Sequence, residues 1–163
     1  MLVSNMGFPK DVRVYREASS LSKRFEVMVI GWDRSCLNKR QESFGKNIIA
    51  VRLQLRSSNS DFGNFVSRLP LFWLLAFNNL IKLKANVVHC HDFDTLPIGL
   101  VMKFFNPNVK VIFTSGIFID MKSELLNEGA KDFIKKPFTE TEILRTFRKV
   151  LDAKGSVPSL PAK

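Results

Sequence analysis

A chain of 163 residues can bury one ordinary core without disulfide or metal staples, and two cysteines make no disulfide framework. Its 45% hydrophobic and 25% charged content is that of a globular chain, which excludes wholesale disorder. The net charge of +10 favours anions such as phosphates, but the Lys and Arg residues are scattered and no DNA- or RNA-binding motif accompanies them, so nucleic acid is not an expected partner.

Taken in order, short apolar runs alternate with helical patterns. The opening "MLVSN" (1–5) reads as a first strand. Asp11 then caps a helix reaching Arg24, with Val12, Tyr15 and Leu21 on its apolar face. "FEVMVIGW" (25–32) and "NIIAVRLQL" (47–55) are strands two and three, separated by a polar loop holding Cys36 and Gly45. A long helical region, 62–84, carries Pro70 at its start or at a kink. Its run "LPLFWLLAF" falls short of the ~20 apolar residues of a membrane span and reads as core, with Trp73 at a boundary. "NVVHCH" (86–91) is strand four, 95–105 a helix, and "VKVIFTSG" (109–116) strand five. A helix over 121–130 ends near Gly129, "KDFIKK" (131–136) is strand six, and Thr139 with Glu142 opens a last helix as a capping box. The tail 153–163 is expected to be frayed.

Right-handed crossovers make this a single α/β domain over 1–152: a three-layer, doubly wound parallel sheet of Rossmann or flavodoxin-like type. Six strands are expected in the order 3-2-1-4-5-6, with ligands at the carboxyl ends of strands one and four. The cysteines suggest a reduced, cytoplasmic chain. An exposed edge strand or the "LFWLLAF" face could drive homodimerisation.

Two resemblances meet within this domain. The stretches "SNMGFPKDVRVYREASSLSKRFEVMVIGWDR" and "NVVHCHDFDTLPIGLVMKF" resemble the N-terminal domain of retaining glycosyltransferases built of two Rossmann domains, over residues 1–108. That resemblance implies an acceptor-side domain, with His91 in a HxH pattern near the donor phosphate. "VIFTSG", "GAKDFIKKPF" and "TETEILRTFRKVL" resemble the second half of a response-regulator receiver, over 109–152. The receiver likeness places Thr114 at the switch hydroxyl and Lys136 at the phosphate-sensing lysine, with a cis bond expected before Pro137. Neither likeness covers a functional unit. The donor-binding domain is absent, and Ser4 and Asn5 stand where a receiver has the acids that hold Mg²⁺. The receiver's nucleophile position falls on His91, one residue before Asp92.

The expectation is therefore an engineered chimera without catalytic activity, strengthened by a first strand that begins at Met1 with no lead-in. A glycosyltransferase fragment with residual sugar-nucleotide or acceptor binding, and a phosphorelay receiver module, are the alternatives. Ser4, Asn5, Gly7, His91, Asp92, Thr114 and Lys136 would line a composite pocket at the strand ends that binds phosphate or sulfate weakly. No catalytic residue, cofactor or metal is expected. His89 and His91 share a strand face, but two imidazoles without a third ligand do not make a zinc site. Asp94 reads as a helix cap, and Lys135 with Lys136 as an edge-strand charge pair.

Overall fold

The computed structural model of the chain describes residues 1–4, 7–57, 62–115, 132–136 and 138–152. Asn5, Pro137, the expected helix over 121–130 and the tail 153–163 lie outside them. A single sheet takes in both halves of the chain. Its strands are β1 (Leu2–Val3), β2 (Val27–Asp33), β3 (Gln41–Phe44), β4 (Ile48–Gln54), β5 (Val87–His91), β6 (Lys110–Ser115) and β7 (Asp132–Lys135). They run in the order β3-β4-β2-β1-β5-β6-β7. All pairings are parallel except that of β3 with β4. The central order is thus the expected doubly wound one, with the reversal between β1 and β5.

The seventh strand corrects the expected six. "QESF" has no apolar run, and its outward positions are exposed. It becomes a strand because Gly45, at φ +68°, turns the chain back so that Phe44 pairs with Ile48. Buried Arg52 on β4 then holds this edge: its Nη1 is 2.9 Å from Glu42 Oε2 and donates to Lys39 O at 2.9 Å.

Helices cover both faces. On one side lie α1 (Val12–Ser22) and α4 (Glu140–Asp152); on the other lie α2 (Phe62–Leu83) and α3 (Leu96–Phe105). Asp11 caps α1 by accepting from Arg13 N at 3.1 Å. Thr139 and Glu142 form the expected capping box, with Thr139 N donating to Glu142 Oε2 at 2.7 Å.

The buried face of α1 is Val14, Glu17, Ala18 and Leu21, the i, i+3, i+4, i+7 stripe. Val12 and Tyr15, expected inward, are exposed, at 56% and 42%. The long helix α2 is two-faced as well. Phe72, Ala76 and Leu80 are buried, while Leu71, Leu74 and Ile81 are exposed, so "LFWLLAF" is only half core. Pro70 lies inside α2, which continues through it. Among the described residues no helix is long and apolar enough to cross a membrane.

The α2/α3 layer is anchored by Trp32, fully buried and stacked between Phe65 and Phe72 at 5.3 Å from each. Its indole donates to Leu55 O at 2.7 Å. Gly99 lets α3 approach the sheet: a Cβ there would meet Cys90 Sγ at 2.6 Å and Val111 Cγ1 at 2.9 Å. Gly99→Ala is therefore expected to destabilise the fold by about 1–3 kcal/mol through overpacking, read from the midpoint of a urea transition.

Candidate functional site

The carboxyl ends of β5 and β6 gather the polar side chains of the sheet interior. His89 and His91 alternate with Cys90 on β5 and so face the α1/α4 layer together, their rings 4.3 Å apart. Thr114, paired with His91 across β5 and β6, places its Oγ1 2.7 Å from His89 Nε2. The same hydroxyl lies 3.3 Å from Cys90 O; when it donates there, it accepts the His89 Nε2–H. Phe147 of α4 closes over His89 edge-on, with ring centroids 5.3 Å apart. Burial, then the neighbouring His91, holds His89 well below its ordinary value and hence neutral.

Glu17 enters this cluster from α1, with its Oε2 3.0 Å from His91 Nε2. Glu17, His89 and His91 retain only 6%, 1% and 3% of their exposure. Glu17 Oε2 and His91 Nε2 are close but off hydrogen-bonding line, and His89 Nδ1 has no partner among the described residues.

Above the cluster the surface is more open. Lys136, just beyond β7, reaches Asp92, Nζ to Oδ1 2.8 Å. Arg13 is held charged chiefly by Asp11, with Asp92 and Glu17 adding smaller attractions. Asp94 is a different environment: burial pushes its carboxyl up, against the hydrogen bond from the Ser4 side chain. It makes no side-chain cap, and its carbonyl accepts from Trp73 Nε1 at 2.7 Å. Gly7 tightens the first loop by accepting from Asp11 N at 2.7 Å. Between α1 and α4 runs a groove of about 850 Å³, lined by Arg13, Arg16, Glu17, Lys23, Lys136 and Glu140 among others.

The residues read from sequence as one pocket thus separate into two levels. Asp92 and Lys136 meet at the rim, with Ser4 turned toward Asp94. His91 and Thr114 lie beneath, 3% and 0% exposed. Lys136, which the receiver likeness would make the phosphate-sensing lysine, pairs with Asp92 and not with His91, the position a count from the strand start selects. Glu17 was missed, although a signal existed: it is the one carboxylate in the apolar stripe of α1.

Neither a protein-family model nor a curated protein matches the sequence. Solved structures do. The receiver domain of NtrX from Brucella abortus overlays with a TM-score of 0.54 at 16% identity, covering 94% of this chain and 98% of that one. A sucrose-phosphate synthase structure from Thermosynechococcus elongatus overlays with a TM-score of 0.65 at 11% identity, covering 92% and 96%. The chain has a receiver-like, doubly wound α/β fold. At these identities the likeness extends to the fold alone. The chain spans only 26% of the longer NtrX chain crystallised with ATP.

Asp92 sits at φ +64° and ψ +162°, a region open mainly to glycine and costing other residues about 1–3 kcal/mol. Its ion pair with Lys136 is 59% exposed on the aspartate side and contributes only about 0–1 kcal/mol. Asp92→Gly is accordingly expected to leave stability unchanged or raise it by up to about 1 kcal/mol, after the ~0.4–1 kcal/mol entropic cost of glycine. Urea denaturation checks this; a clear loss would mean that the ion pair outweighs the strain.

Proposed function

We propose that this chain is a non-catalytic α/β domain of composite ancestry, glycosyltransferase-like through Asn108 and receiver-like beyond it, that takes up a phosphate-bearing anion in the groove between α1 and α4. The convergence of Arg13, Arg16, Lys23 and Lys136 on one groove carries this reading. Of the acids beside them, Glu140 is paired with Lys23 at 2.8 Å and Glu17 is buried, its Oε2 3.0 Å from His91 Nε2. Ser4, at a position where a receiver would hold Mg²⁺ with an acid, argues against receiver catalysis. We take the join to be engineered, since two unrelated partial resemblances meet inside one sheet. A reducing, cytoplasmic setting suits the free thiols of Cys36 and Cys90.

Titrating inorganic phosphate while following the Arg13, Gly7 and Lys136 amide resonances tests the proposal. Saturable shifts near a Kd of ~1 mM are expected, weakened in Lys136→Ala. They should be strengthened in Asp92→Asn, which frees the lysine from its carboxylate. No shift at tens of millimolar phosphate would refute it.

A second reading, favoured by the Asp92–Lys136 contact, is that Asp92 accepts a phosphoryl group from an acyl phosphate. Acetyl phosphate with Mg²⁺ would transfer its phosphoryl group to the carboxylate and release acetate. Mass spectrometry showing no added phosphate removes that reading.

A further inference from the structure

The Glu17–His89–His91 cluster has a composition and an incompleteness that neither anion binding nor packing explains. Its three ligand atoms, one per side chain, lie within 4.8 Å of one another, and all three residues are buried. Two ion-bound ligand atoms at the ~2.0–2.1 Å bond lengths of zinc sit about 3.4 Å apart in a tetrahedron. The 3.0 Å between His91 Nε2 and Glu17 Oε2 is already close to that spacing.

The obvious alternative is a protonated His91 paired with Glu17. It would satisfy two of the orphaned atoms but leave His89 Nδ1 bare in the interior. The hydroxyl of Thr114 explains why that nitrogen is bare. Thr114 Oγ1 stands 2.7 Å from His89 Nε2, and in the tautomer whose Nε2–H donates to that hydroxyl the Nδ1 lone pair is left for an ion. A hydrogen bond to the far nitrogen is also the usual support of a metal-bound imidazole. Cys90 lies on the opposite sheet face against Gly99, outside the cluster.

We propose that Glu17, His89 and His91 form a binding site for a divalent first-row transition metal of the zinc type, with Thr114 orienting His89. Two imidazoles and a carboxylate are a borderline nitrogen and oxygen set, suited to Zn²⁺ and unsuited to Ca²⁺ or Mg²⁺. Three protein ligands leave the fourth position for water. Glu17 lines the basic groove, so the site has a route to solvent. The site stands independently of the phosphate reading, since it rests on buried atoms beneath the rim.

The test is calorimetric titration of the chelator-treated full chain with Zn²⁺ alone, paired with the visible spectrum of the Co²⁺ form. One equivalent is expected to bind, raising the thermal midpoint, and chelator reverses it. Thr114→Val should weaken binding by the ~10–100-fold typical of a lost supporting hydrogen bond, and Glu17→Gln by at least as much. Cys36→Ser should leave affinity unchanged. The Co²⁺ spectrum of the unaltered chain keeps the proposal falsifiable should Glu17→Gln fail to fold. Ligand-field bands without a thiolate charge-transfer band support it. A thiolate band, Zn²⁺ binding lost in Cys36→Ser, or no saturable binding overturns it.

Discussion

Phe113→Ala is expected to lower the unfolding free energy by about 3–5 kcal/mol, the cost of removing a fully buried aromatic ring from a core that closes only in part over the gap. Phe113 is 0% exposed and lies on β6, in the part proposed to be receiver-like. Its cluster, however, is made largely of residues from the other part: Leu2, Ile30, Trp32, Phe72, Cys90 and Met102. Both tryptophans, Trp32 and Trp73, lie on that other side of the junction. The loss should therefore appear in full in a urea transition followed by tryptophan fluorescence. Against a typical margin of ~5–15 kcal/mol it is large enough to leave part of the population unfolded at rest. A fluorescence midpoint that does not move would mean that β6 packs apart from the core it adjoins.

Phe147→Ala is expected to cost a similar ~3–5 kcal/mol on the opposite face of the sheet. Phe147 belongs to α4 and shares its cluster with Val14, Ala18 and Leu21 of α1 and with Ile112 of β6. It also shields His89 from water, 5.3 Å away edge-on. Removing it should admit solvent and move the His89 imidazole up toward its ordinary value of 6.5, seen in its ring-proton titration by NMR. The pH dependence has a definite sign. Burial keeps the folded-state proton off His89, whereas the unfolded chain takes one up below pH 6.5. The metal-free chain therefore keeps this share of its stability above pH 6.5 and loses it as the pH falls through the lower folded value. The loss should be shallower in Phe147→Ala than in the unaltered chain.

What the sequence disclosed and what it withheld follow from the range of each interaction. Parallel strands buried on both faces read as apolar runs, so β2, β4, β5 and β6 were legible with their order. The box of Thr139 and Glu142 was legible because capping is local. The edge strand β3 was not, because "QESF" acquires its conformation from the turn at Gly45 and the open edge of β4. The orientation of α1 was misjudged because Val12 and Tyr15 are apolar while Glu17 is not, yet Glu17 is the one buried. Its place depends on imidazoles some seventy residues away in the chain. The rim pair was half legible. Lys136 and Asp92 both read as lining the strand ends, but the backbone swing at Asp92, φ +64°, decides that the two meet.

Native-state hydrogen exchange along the paired backbones of β5 and β6 tests the central claim most directly. Their register is fixed from Val87 opposite Lys110 to His91 opposite Thr114. If one sheet and one core span the junction, the protected amides of both strands open with the same free energy, equal to that of global unfolding. Opening of β6, β7 and α4 at a distinctly lower free energy, with β5 still protected, would contradict it.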